Sequence, residues 1–293
     1  MKFGSPLTGE EARDLIDTLR KVAEASPMSE NEKKSRAKAL EEDGYRLLYE
    51  EKKPQEAFGA FDEAARLFKG VSDHQQAAAC FASAGSCWLI QCGEELLWNA
   101  ASRYEYAGDE AVKYNHYEYA KFLYEKSAAL ARTENSLPAF SRSFYKSKLS
   151  ETKHTFLMFT NSDKLKKIPG VGYSIGFRSK CKYFLAWLMN SFLFLVWGYG
   201  ERPFRAFCSS LFVIFLSSLT YYYSGQLKCN GQFFKPSVFD SIYLSVVTFT
   251  TLGYGDIVPT GFCRVASMVE ALSGLFLAPL FLVALVRKYV GTF

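Results

Sequence analysis

Two apolar segments in the last third of the chain, residues 204–223 and 265–286, constrain its fold more than anything else in the 293 residues. After Arg205 no charged side chain occurs until Lys228, and between Arg264 and Arg287 the one charge is Glu270. A helix rises about 1.5 Å per residue, so about twenty such residues cross the ~30 Å hydrocarbon layer of a bilayer. Arg202 and Arg205 precede the first segment and Arg287-Lys288 follow the second. That bias puts both outer flanks, and with them both termini, on the cytoplasmic side. Tyr221-Tyr222-Tyr223 forms an aromatic belt at the far interface.

The stretch between the two spans must leave and return on the outer side. Ser224 to Pro236 reads as an outward loop. Ser237 or Asp240 can open a short apolar helix ending at Thr250, with its partly negative end aimed inward, where it favours a cation. Thr250-Thr251-Leu252-Gly253-Tyr254-Gly255-Asp256 comes next, and Pro259 lies just beyond. Gly253 and Gly255 can take left-handed backbone at little steric cost. An alternation of right- and left-handed residues turns successive carbonyls to one side. Such irregular backbone is tolerated at membrane depth where it lines a watery cavity.

Thr251 to Asp256 resembles the selectivity filter of potassium channels. The resemblance implies that four copies meet on an axis and that their carbonyl oxygens replace the water shell of K+. The carbonyls of Thr251, Leu252, Gly253 and Tyr254 would bind K+, with the Thr251 hydroxyl forming the innermost site. Tyr254 would point away from the axis, and Asp256 would cap the outer mouth. Leu252 stands where the family usually has Val or Ile. Val247 stands where some relatives carry a Glu that braces the filter Asp, and Tyr243 is an alternative brace. Gly274 sits where the family often has a hinge glycine, and Pro279 should kink the helix. Leu275, Ala278, Leu282 and Val286 follow at helical spacing and form the expected pore wall and gate. Glu270 interrupts the apolar face of this helix, and a hydrogen bond to the back of the short helix is the expected reason. Cys229 and Cys263 flank the pore loop, as a bonded pair does in inward-rectifier potassium channels. A bond and two free thiols both remain open.

The first half of the chain has another texture, which is why a chain 49% hydrophobic has a mean hydropathy of only −0.06. Residues 10–132 read as successive helices. Ser26-Pro27 ends the first, Ser29-x-x-Glu32 is a capping box for the second, and Pro54 suits the first turn of the third. Gly70, Cys92-Gly93 and Gly108 mark later stops. Ala57–Phe68, Ala77–Cys87 and Ala100–Ala107 carry small and apolar residues at three- and four-residue steps. They resemble tetratricopeptide-type arrays and, more narrowly, the soluble NSF attachment protein fold. A non-repetitive helical bundle is the alternative.

The expected organisation is mainly α: a cytoplasmic helical-repeat domain over 1–135, a basic connector over 136–182 with a candidate helix around Phe140–Met158, a membrane-surface helix over 183–203, and a two-span pore domain over 204–293 that assembles as a tetramer. A third span at 183–200 is the alternative there. Gly198-Tyr199-Gly200-Glu201-Arg202-Pro203 matches a pattern that precedes the first span in several two-span bacterial potassium channels. Residues 141–205 carry twelve Lys/Arg against three Asp/Glu. So basic a stretch beside spans suits anionic lipid headgroups. No nucleic-acid-binding motif accompanies it, so no nucleic-acid partner is expected.

His74, His116 and His154 are scattered, the seven cysteines show no metal-type spacing, and no residue set suggests an enzyme or a cofactor. Residues 1–20 lack the apolar core of a secretory leader. The resemblance as a whole implies passive, homotetrameric K+ conduction across a bacterial inner or plasma membrane. The helical domain would gate the pore or assemble it, with a protein or peptide ligand. A weakly selective cation channel and a membrane-anchored adaptor with a silent pore are the alternatives.

Overall fold

The computed structural model describes residues 28–92, 97–160 and 176–289, which are predominantly helical. The helix expected before Pro27 and the stop at Gly93 lie outside the described residues. The first part is a run of antiparallel helices: α1 (Glu30–Tyr49), α2 (Pro54–Gly70), α3 (His74–Cys92), α4 (Leu97–Lys113), α5 (Tyr117–Thr133) and α6 (Leu137–Thr160). Each packs chiefly on its neighbours in sequence, as in a helical-repeat array. Ser29 caps α1 through a complete capping box with Glu32, and Pro54 opens α2.

The repeat is carried by the turns. Lys52, Ser72, Asn115 and Asn135 are each left-handed, and each stands two residues before the next helix. The residue after Ser72, Asn115 and Asn135 donates its amide to a carbonyl five positions back, as in Asp73 to Phe68 at 2.9 Å. That is the hydrogen-bond pattern of a Schellman stop. None of these positions is glycine, so the periodicity is hidden from the letters.

Small side chains let the helices approach closely. Ala57, Ala64, Ala65, Ala77, Ala78 and Ala100 are all fully buried, with Phe61, Phe68 and Phe81 filling the space between. The buried charges are paired. Arg103 holds Asp62 at 2.6 Å, and Arg142 and Lys146 hold Glu105 at 2.7 and 2.9 Å. His74 sits 2.7 Å from Glu110 as a tie between helices.

The array extends past residue 135, where a connector was expected. Residues 137–160 form its last helix and pack along α5. The packing face of α6 is a stripe of serines, Ser143, Ser147 and Ser150, each almost fully buried. Ser127 and Ser143 hydroxyls meet at 2.9 Å across it.

The second part begins with α7 (Phe177–Trp197), a short 3-10 turn (Gly198–Gly200) and α8 (Pro203–Ser224). The expected outward loop is a hairpin of β1 (Leu227–Cys229) and β2 (Gln232–Phe234), joined by Asn230-Gly231, both with positive φ. Then come α9 (Val238–Phe249), β3 (Ile257–Pro259) and α10 (Phe262–Tyr289). β1 is the middle strand, antiparallel to both β2 and β3. Three helices among the described residues are long and apolar enough to cross a membrane: 178–200, 203–224 and 262–286.

Candidate pore and ion pathway

α9 starts where a capping box permits. The Ser237 hydroxyl accepts from the Asp240 amide, and the Asp240 carboxylate accepts from the Ser237 amide at 2.9 Å. The helix ends at Phe249, and its last carbonyls accept from residues 251 and 252. Thr251 N–H donates to Thr248 O at 3.0 Å, and Leu252 N–H donates to Val247 O at 3.0 Å. The base of residues 251–256 is thereby hung from the negative end of the helix.

Beyond it the backbone alternates. Thr251, Gly253 and Gly255 have φ of 59°, 59° and 80°, while Leu252 and Tyr254 lie outside the positive-φ set. The alternation expected from the two glycines is present and begins one step earlier, at a threonine. Nothing lies within 4 Å of a Cβ placed on Gly253 or Gly255. The requirement for glycine there is one of φ, not of space. All six residues from Thr251 to Asp256 are exposed in the single chain. The Tyr243 hydroxyl faces the Asp256 carboxylate, in the place of the alternative brace that the missing acid at Val247 suggested.

Behind α9 lie α8 and α10. Glu270 is almost fully buried and joins all three helices. It accepts from the Tyr221 hydroxyl of α8 at 2.6 Å and meets the Ser245 hydroxyl of α9. Ser245 also lies 2.9 Å from the Ile214 carbonyl of α8.

Gly274 has a packing reason to be glycine: a Cβ there would collide with the backbone carbonyl of Phe249, the last residue of α9. α10 runs unbroken through Gly274 and Pro279. Leu275, Ala278, Leu282 and Val286 are all exposed on α10.

Cys229 and Cys263 are both free thiols, the second of the two alternatives left open by the sequence. Cys263 is buried, with its sulfur 2.7 Å from the Ser224 hydroxyl, while Cys229 sits in β1 opposite Ile257. The sequence reading missed the hairpin and with it Gln226. The Gln226 side-chain oxygen accepts from Phe262 N–H at 2.8 Å, and its carbonyl accepts from Thr260 N–H at 2.9 Å. The signal was present in Asn230-Gly231.

A protein-family model described as "Ion channel" matches residues 209–290. This region is an ion-channel domain. The match takes in the greater part of α8 and all of α9, the filter-like stretch and α10. The channel domain and the apolar helices make the chain a membrane protein. No curated protein and no solved structure matches the chain.

The channel domain joins the array through the 3-10 turn. Gly198, Tyr199 and Gly200 are three consecutive left-handed residues. Tyr199 is buried against α6, with its hydroxyl 2.5 Å from that of Thr152. The Tyr145 ring of α6 sits between Tyr199 and the Arg202 guanidinium, and Ser141 donates to Glu201.

Proposed function

We propose that this chain is the subunit of a homotetrameric, potassium-selective channel whose helical array, of tetratricopeptide type, gates the pore. The observation that carries the reading is the alternating left-handed backbone at Thr251, Gly253 and Gly255 at the end of an apolar helix. One copy turns these residues to open space, and four copies around an axis would give their carbonyls a common ion to bind. Leu252 and Tyr254, exposed at 61% and 68%, would then be covered by neighbouring subunits. Leu275, Ala278, Leu282 and Val286 would line the path below, with an apolar constriction at Leu282 or Val286 that dewets when narrow.

α7 belongs on the cytoplasmic membrane surface in this reading. Phe184, Trp187 and Phe194 contact Phe159, Phe156 and Tyr145 in antiparallel order, so α7 is zipped along α6. α6 carries Lys146, Lys148, Glu151 and Lys153 and cannot enter hydrocarbon with it. The other face, Leu185, Leu188, Met189, Phe192 and Leu195, is exposed and apolar, as an interfacial helix requires. Both termini are then cytoplasmic, and the array meets its protein or peptide ligand there.

Purified protein in liposomes tests the function. Reversal potentials under bi-ionic K+/Na+ conditions should follow K+. Equal permeation would mean a weakly selective cation channel, and no flux at all would leave an adaptor with a silent pore.

A further inference from the structure

The buried Glu270 cluster holds a hydrogen count that the pore reading does not use. A serine hydroxyl has one proton to donate. Ser245 Oγ is nevertheless within reach of two acceptors, the Ile214 carbonyl at 2.9 Å and the Glu270 carboxyl. If Glu270 is ionised, Ser245 must donate to it and abandon Ile214. If Glu270 is neutral, one chain satisfies every member: Tyr221 O–H to Glu270 Oε2, Glu270 Oε1–H to Ser245 Oγ, and Ser245 O–H to Ile214 O. The Ile214 carbonyl keeps the Ser218 hydroxyl, at 2.8 Å, in either state.

The geometry points to Glu270 as a proton-operated positioning residue, whose carboxyl proton decides whether Ser245 ties α9 to both the outer span α8 and the inner span α10 or to α10 alone. The groups facing it are Tyr221 and Ser217 from α8 and Ser245 from α9, and Cys263 lies beyond Tyr221. No cation among them offsets a carboxylate, so the neutral form has no rival for charge stabilisation except these hydroxyls. Loss of the proton to solvent returns the Ser245 hydrogen to Glu270 and releases one contact between α9 and α8. Thr250 and the filter-like stretch hang from the far end of α9, so this contact bears on how they are held. The readout in flux rests on the proposed channel function, while the proton exchange itself does not.

The full chain in liposomes, assayed for K+ flux from about pH 5 to about pH 9, should change rate about fivefold, the population shift one hydrogen bond of typical net worth produces. Glu270→Gln presents an amide N–H to Ser245 and a carbonyl to Tyr221, as the neutral acid does. It should be flat with pH and match the acid limb of the unmodified protein. Ser245→Ala should lose the response as well. A Glu270→Gln protein with the original pH profile, or an unmodified protein whose flux ignores pH, overturns the inference.

Infrared titration separates this from the channel reading, because it needs no conduction. A neutral-carboxyl band should be present in acid, lost in alkali and missing from Glu270→Gln; its absence at every pH overturns the inference. Should Glu270→Gln not assemble, Tyr221→Phe removes a donor to the ionised form and should move the band's midpoint to higher pH. An unmoved midpoint counts against the assignment.

Discussion

In the array the fully buried positions are mostly alanines, with phenylalanines between them. In the channel domain the buried cluster is small, built on Tyr221, Leu227, Leu244, Ile257 and Cys263, while Phe204, Phe212, Phe215, Phe262, Leu275 and Phe276 are exposed. The array closes its core within one chain. The channel domain leaves its apolar surface to lipid and, in the proposed tetramer, to its copies. The difference shows in the glycines. A Cβ on Gly108 in the array would meet the ring of Tyr124, whereas on Gly274 it would meet the Phe249 carbonyl. A ring can shift, but the end of α9 carries the filter-like stretch.

The largest effect expected from this contrast is at Gly253. Gly253→Ala, left-handed at φ 59°, should abolish K+ flux while leaving the array's melting untouched. Retained K+-selective flux would break the filter assignment. Next comes the glycine pair. Gly274→Ala should remove most flux, whereas Gly108→Ala should cost only about 1–3 kcal/mol of array stability with flux retained. The reverse order, measured by flux and thermal melting, would break the comparison itself.

Tyr199→Ala sharpens it, because Tyr199 lies where the two parts meet. It should change open probability severalfold without moving the K+/Na+ reversal potential. If single-channel records match the unmodified protein, gating through this joint fails.

A smaller effect lies within the array. Burial pushes the Glu105 carboxyl up, but hydrogen bonds from Arg142 and Lys146 outweigh it and hold it below the usual carboxylate range. A folded-state value below the unfolded one stabilises above the unfolded value and is lost as pH falls through the folded one. The array should therefore lose stability in acid, and Glu105→Gln should remove about 1–2 kcal/mol at neutral pH and flatten that acid limb. Melting followed by circular dichroism against pH checks it. The smallest effect is at the cysteines: reductant should leave melting unchanged, and both Cys229 and Cys263 should be alkylated after non-reducing unfolding.

Features that depend on one residue's own chemistry were legible in the sequence. Ser237 with Asp240, Ser29 with Glu32, and the two filter glycines each act through backbone geometry that few other residues supply. Two features were not legible, for different reasons. The edge of the array was misplaced because its last helix packs through Ser143, Ser147 and Ser150, and serines in a Lys-rich stretch look solvated. The stop expected at Gly108 falls inside α4, and the repeat of the true turns escaped notice because Lys52, Ser72, Asn115 and Asn135 take the same left-handed geometry without sharing a letter. Thr251 belongs with them. A β-branched residue at positive φ is held there by the helix above it, and its own preference gives no warning.

The outer sheet has one more consequence. β1 is hydrogen-bonded on one edge to the strand that leads into α9 and on the other to the strand that leaves the filter-like stretch. It is a clasp, and residues 235–256 are a closed loop fastened at its neck. The clasp is made of main-chain bonds and the Lys228–Phe233 contact, with no disulfide, so it closes the loop in an oxidising or a reducing medium alike. The entropy of such closure grows only logarithmically, about 0.6 kcal/mol for each doubling of length. Insertions near residue 235 would be taken up as slack inside the loop, while α8 and α10 stay fastened at its neck.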